Sequence, residues 1–180
     1  MSSDILFASS NKNKFDEASK ILSNFKIELE FYKTDLIEIQ DESISNIASQ
    51  KVKDAFTKSQ KPTIVEDDGL FIDSLNNFPG PYSSFIFKTI GNNGILELVS
   101  SDRRAKFVSV IAYSDGNNIE IFESSVSGKI SDKPRGDGWG YDPIFIPENQ
   151  NQTYAELADK NKISHRYESL SKFASWFLSK

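Results

Sequence analysis

Short β-rich runs alternate with stretches of helical periodicity through the first third of the chain, and two consecutive β-rich runs follow later around a turn. Such an order calls for a sheet with helices packed on it. The early alternation favours parallel strands and the later hairpin an antiparallel pair, so the expected architecture is α/β, with a mixed sheet and helices packed on it. Ile5 to Ala8 reads as a buried strand and Ser9 to Asn13 as a polar turn. Lys14 to Leu22 has helical spacing, with Phe15, Ala18, Ile21 and Leu22 on one side. Ile27 to Tyr32 alternates like a strand, and Ser45 to Lys58 turns Ile47, Ala48, Val52, Ala55 and Phe56 inward as a helix. Thr63 to Val65 reads as a short strand that ends in three acids. Beyond the breaker cluster Phe78-Pro79-Gly80-Pro81, helices are expected at Tyr82 to Ile90 and at Gly94 to Ser100. Lys106 to Tyr113 and Ile119 to Val126 form the hairpin around Ser114 to Asn118. A Pro/Gly-rich loop, Lys133 to Asp142, leads to a strand at Ile144 to Ile146. Ser164 is placed to cap a last helix carrying Leu170, Phe173, Ala174, Phe177 and Leu178.

The 180 residues suggest one domain over 1–180, at most two lobes sharing a core, with no separable linker. Fourteen Phe, six Tyr and two Trp supply enough large apolar surface for that core. The formal charge of −5 argues against broad nucleic-acid binding, which needs a basic field, but leaves room for a locally positive pocket. With no Cys, disulfides and thiolate metal sites are excluded. Met1 to Asp4 carry no basic or apolar leader, and no apolar run is long enough to span a membrane, so a cytoplasmic location is expected.

Five segments carry candidate chemistry. In Ser9-Ser10-Asn11-Lys12-Asn13-Lys14 a strand feeds a helix start, where backbone N–H groups and the positive dipole end attract an anion. The turn lacks Gly, so Ser9, Asn11 and Lys14 side chains would do the holding; an ordinary capped helix reads the same way. In Glu66-Asp67-Asp68-Gly69 three adjacent carboxylates repel, and a hard divalent cation would offset them, as would full solvation of an acidic turn. Lys51 falls in the middle of the stripe made by Ile44, Ile47, Ala48 and Ala55, where it must pair with an anion or snorkel. Gly138-Trp139-Gly140-Tyr141-Asp142-Pro143 offers glycines for close backbone approach and aromatics that either stack on a base or plug the core. Lys160 with Ser164-His165-Arg166 gathers cations at the start of the last helix, with Arg166 in phase with its apolar stripe.

In order and spacing these segments, together with Glu38 in Asp35-Leu36-Ile37-Glu38-Ile39-Gln40 and Thr153-Tyr154-Ala155-Glu156-Leu157, make the chain resemble the inosine triphosphate pyrophosphatase (Ham1-like) family nearly end to end. The resemblance implies a two-lobed fold of the Maf and Ham1 type, an elongated mixed twisted sheet flanked by helices with a central cleft, together with a homodimer and Mg²⁺. It implies hydrolysis of ITP, dITP and XTP to monophosphate and pyrophosphate. Carried over by position, Ser9, Ser10, Asn11, Lys12, Asn13, Lys14 and Lys51 would grip the triphosphate. Glu38 and Asp67 would hold the metal, and Asp67 would activate water. Trp139, Gly140, Tyr141 and Asp142 would line the base pocket, while Lys160, His165 and Arg166 would read the purine. Asp68 departs from the Ser or Thr of many relatives and adds a charge near the phosphates and ribose. Ser84 departs from a Lys. A Maf-like pyrophosphatase for other altered nucleotides and a nucleotide-binding sensor without turnover are the alternatives. Neither a nucleic acid nor a membrane is an expected partner.

Overall fold

A computed structural model describes residues 5–180. Met1 to Asp4, read above as containing no leader, lie outside the described residues. The strands are β1 (Ile5–Ser9), β2 (Leu29–Lys33), β3 (Thr63–Ile72), β4 (Pro79–Gly80), β5 (Arg104–Ser114), β6 (Ile119–Ile130) and β7 (Phe145–Pro147). The helices are α1 (Lys12–Ser23), α2 (Ile44–Ser59), α3 (Ser83–Leu98) and α4 (His165–Leu178), with three single turns of 3₁₀ helix between them. The strands form one sheet in the order β2-β1-β3-β5-β6-β7, with β4 beside β3. β1 runs parallel to β2, with Ile5 opposite Leu29 and Ser9 opposite Lys33, and parallel to β3, with Leu6 opposite Thr63. β4 is antiparallel to β3 and β7 to β6. The sheet is therefore mixed, as the strand–helix order requires.

The chain divides into two compact units. The first holds residues 1–67, 109–124 and 166–180, and the second 68–108 and 125–165. In the first, the buried faces of α1 and α4 (Ala18, Ile21, Leu22, Leu170, Phe173, Ala174) close over Ile5, Phe7, Ile64, Ile111 and Tyr113 of the strands. The stripe expected on α1 is this face. In the second, Leu70, Ile72, Ile95, Phe107, Ile130, Ile144, Phe145 and Tyr154 form a separate core. Among the described residues no helix is long and apolar enough to cross a membrane.

Two of these elements, β3 and α1, differ from their sequence reading. β3 does not stop at Val65 but runs ten residues to Ile72, so the three acids lie inside a strand. Glu66 and Asp67 face the cations Arg166 and Lys51 there, and Asp68 lies near His165, which offsets the repulsion expected of three adjacent acids. α1 begins at Lys12 because Asn11 caps it: its Oδ1 accepts the N–H groups of Asn13 and Lys14 at 3.0 and 3.4 Å. The two helices expected at Tyr82 to Ile90 and Gly94 to Ser100 are both present within the span α3: they meet at Gly91, whose non-helical φ of 63° and ψ of −165° only glycine adopts readily.

Candidate active site

The carboxylates of β3 organise the chemistry. Successive side chains on a strand point to opposite faces, so Glu66 and Asp67 part. Glu66, 5% exposed, receives the Arg166 guanidinium: Nε lies 2.8 Å from both carboxylate oxygens. The Ser109 hydroxyl donates to Glu66 Oε1 at 3.0 Å and shares a second hydrogen bond with Ser169. Arg166 Nη1 reaches Glu17 of α1. Arg166 is 1% exposed, so this is a fully interior ion pair of the first unit.

Asp67 turns to α2. Its Oδ2 lies 2.9 Å from the Lys51 ammonium, which also meets Oε1 of Glu38. Lys51 is 8% exposed, within the buried face of α2 formed by Ile44, Ile47, Ala48, Val52 and Ala55. Of the two readings open for this lysine, the structure shows pairing. An ammonium so deep in a helix face is tolerable only because two carboxylates converge on it.

That convergence is also a test of the divalent cation. Two carboxylates within reach of one point are hard oxygen donors, the set Mg²⁺ takes when phosphate oxygens and waters complete its shell. Among the described residues no cluster of three or more His, Cys, Asp or Glu stands ready to hold a metal by itself. The donor set fits Mg²⁺ shared with a phosphate, and does not fit an all-protein metal cage.

At the start of α1 the polar side chains are engaged in the turn. Ser9 Oγ accepts the Asn11 N–H at 3.0 Å, and Asn11 caps the helix. Lys12 pairs with Asp16 and lies over the Phe15 ring, 4.6 Å from its centroid. Ser10 and Asn13 are exposed, and Lys14 is half-buried one turn before Glu17. The β1–β3 register, Phe7 opposite Ile64, carries the Ser9 end of β1 alongside the acidic part of β3. The turn of α1 and the Lys51 cluster thus share one end of parallel strands within the first unit.

The second unit carries the remaining candidates. His165 is 2% exposed and stacks on Phe107, with ring centroids 4.4 Å apart and planes at 6°. Its Nε2 stands 3.9 Å from Asp68 Oδ2. Lys160 donates to Asp142 Oδ2 at 2.6 Å, and its ammonium lies 5.4 Å from the half-buried Trp139 ring and 5.8 Å from that of Tyr154. Asp142 and Lys160 are thereby a buried pair with an aromatic lining.

The Gly-rich loop serves packing more than expected. A Cβ on Gly138 would lie 2.8 Å from Ala155 Cβ and 3.0 Å from Asp142 Cβ, so that glycine admits protein rather than leaving space for a flat ligand. Gly140, with φ of 61°, does face open space, and its carbonyl accepts from Asn92 Nδ2 at 3.1 Å. Tyr141 lies in the core, 5% exposed, donates its hydroxyl to the Ser83 carbonyl at 3.0 Å and meets Phe87 edge-on. Burial pushes its phenol well above the usual range. Ser84 is exposed in the first turn of α3.

Sequence reasoning missed Glu17 and Ser109. Glu17 and Ile21 are one helical turn apart, a signal that its carboxylate faces inward. Ser109 sits among apolar residues of β5 and carries no distinguishing signal.

The model of the Ham1 family matches residues 5–176. The dITP/XTP pyrophosphatase of Methanopyrus kandleri is 45% identical over 96% of this chain and 95% of its own length. That of Korarchaeum cryptofilum is 46% identical over 97% of this chain and 96% of its own. Among solved structures, a HAM1 protein from Coxiella burnetii superposes with a TM-score of 0.85 at 30% identity, covering 98% of this chain and 99% of that one.

Proposed function

The chain belongs to the Ham1 family, and on that premise we propose that it hydrolyses the non-canonical purine nucleotides dITP, XTP and ITP to monophosphate and pyrophosphate, with Mg²⁺. The observation that carries this reading is the meeting of Glu38 and Asp67 on the buried Lys51. It offers two carboxylates to a phosphate-bound cation and one ammonium to the phosphates themselves.

In this reading Lys51 and Lys14 neutralise the polyphosphate oxygens, with the backbone N–H groups at the start of α1 beside them. Glu38 and Asp67 hold Mg²⁺, which when bound supplies charge neutralisation on the phosphates. Water attacks the α-phosphorus, its proton passes to the Asp67 carboxylate, and the bond from the α-phosphorus to the bridging oxygen breaks. The electron pair leaves with pyrophosphate, whose charge Lys51 offsets. Lys160 and His165 read the purine edge, with Trp139 and Asp142 at the base. A keto group at position 6 accepts from such donors. The amino group of adenine would set donor against donor and leave buried groups unpaired. Arg166, expected from the sequence to join them, has its guanidinium on Glu66 and Glu17, and we assign it to holding β3 and α1. A homodimer and a cytoplasmic location complete the proposal. The large apolar side chains Tyr82 and Phe85, 46% and 66% exposed at the start of α3, supply a candidate contact face for the dimer.

The test is pyrophosphate release from ITP, dITP, XTP, ATP and GTP in the presence of Mg²⁺. The expected outcome is turnover of the first three well above the last two. Equal rates on ATP and ITP would defeat it, and tight ITP binding without product would indicate a sensor instead.

Lys51→Ala should raise the KM for ITP by about tenfold to a hundredfold, the worth of one or two charge-assisted hydrogen bonds. Its thermal midpoint should fall far less than for loss of a fully interior cation, because Glu38 is 67% exposed and regains water and Ala suits the apolar stripe of α2. Steady-state kinetics with a thermal melt decide the matter; aggregation of the variant would make Lys51 a structural residue.

A further inference from the structure

The segment carrying Glu38, residues 34–42, has no regular secondary structure. Its apolar side chains do not anchor it, since Ile37 is 58% exposed and Ile39 39%. Its attachment is to α2. Lys58 Nζ donates to the Asp35 carbonyl at 2.7 Å. The Ile37 N–H donates to Asp54 Oδ2 at 3.0 Å. Lys51 meets the Glu38 carboxylate. Lys51, Asp54 and Lys58 stand at i, i+3 and i+7, one stripe of a helix. The segment therefore runs against the direction of α2 and is tied to it at three consecutive rungs.

The middle rung is braced. Lys58 Nζ also lies 2.8 Å from Asp54 Oδ2, and the Asp54 side chain is only 11% exposed. Lys58 and the Ile37 N–H hold the Asp54 carboxyl below its usual range, so it stays an acceptor at neutral pH. The rungs at Asp35 and Ile37 leave the Glu38 carboxylate untouched. They fix the backbone on its N-terminal side, and the third rung, from Lys51, meets its carboxylate.

We infer that Asp54, braced by Lys58, is a positioning residue for the metal ligand Glu38, and that these two side chains of α2 set the affinity of the protein for its divalent cation. The inference rests on the proposed role of Glu38. A ligand on an untethered segment must be ordered each time the cation binds, at a cost in backbone entropy. The Asp54 rung meets that cost in advance, during folding. Supporting contacts of this kind orient a ligand without touching the metal.

The experiment compares Asp54→Ala, Asp54→Asn and Lys58→Met with wild type. One readout is Mn²⁺ affinity by electron paramagnetic resonance in the presence of an α,β-methylene analogue of ITP, which needs no turnover. The other is the Mg²⁺ concentration that half-saturates pyrophosphate release. Asp54→Ala should weaken both by about tenfold or more, with kcat at saturating Mg²⁺ nearly unchanged. Asp54→Asn keeps an oxygen for the Ile37 N–H and should recover much of the loss. Lys58→Met, at a partly exposed residue whose loss spares the core, should shift the same way by less. In a Glu38→Gln background Asp54→Ala should cost little more, because the two act through one ligand. Unchanged Mn²⁺ affinity in Asp54→Ala, or an equal loss with and without Glu38, overturns the inference while the nucleotide reading stands. A wild-type protein that neither binds Mn²⁺ with the analogue nor releases pyrophosphate overturns both.

Discussion

Asp67→Asn should lower kcat for ITP by about a thousandfold, within the range for losing a positioned general base, while the affinity for the α,β-methylene analogue changes far less. Asn keeps the shape of the side chain and removes its charge and its ability to take a proton. The Lys51 ammonium, 2.9 Å away, still has Glu38 as a partner, so the local fold should survive. Polyphosphate contacts from Lys51 and Lys14 do not pass through Asp67. Binding and chemistry should therefore separate, which is the pattern of an interaction made mainly in the transition state. Single-turnover kinetics with calorimetric titration of the analogue measure the two halves independently. Near-normal turnover would remove Asp67 from its assigned role. Loss of binding to the same degree as loss of rate would make it a ground-state contact only.

Asp67 also shows how far the site was legible in the sequence. Lys51 could be found by phase alone: a lysine in the middle of an apolar helical stripe must meet an anion or reach water, and here it meets two carboxylates. The strand before α1 is equally plain, because Ile5 to Ala8 is an unbroken apolar run, but periodicity starts the helix at Lys14, two residues after the point where the Asn11 cap begins it. β3 was cut short. Three successive acids look like a turn until their partners are known, and the partner of Glu66 lies 100 residues away on α4. Side chains of that separation leave no periodic trace in either segment. For the same reason the sequence leaves Gly138 open between a ligand and the protein, where it admits Ala155, and nothing in it singles out Asp54. Its spacing of three from Lys51 was visible, but its partner is a backbone N–H, which no residue type advertises.

Arg166 is where the two kinds of reading part, and Arg166→Met decides between them. Sequence phase put its head near the protein body, and resemblance put it on the purine. In the structure its Nε lies 2.8 Å from both oxygens of Glu66, whose side chain is fully buried, and its Nη1 reaches Glu17. A buried pair of this kind adds little net stability over well-packed apolar residues, because removing both charges from water is costly. Removing one partner is different. Met fills most of the volume but leaves Glu66 and Glu17 as neighbouring carboxylates without their shared cation. The expected loss is about 3–5 kcal/mol, or roughly 6–20 °C in thermal midpoint for a chain of this size. Denaturant unfolding should show the same loss with its slope unchanged. If the variant instead melts like wild type and shows a raised KM for ITP with ATP unaffected, Arg166 is a purine contact and the interior network around Glu66 holds without it.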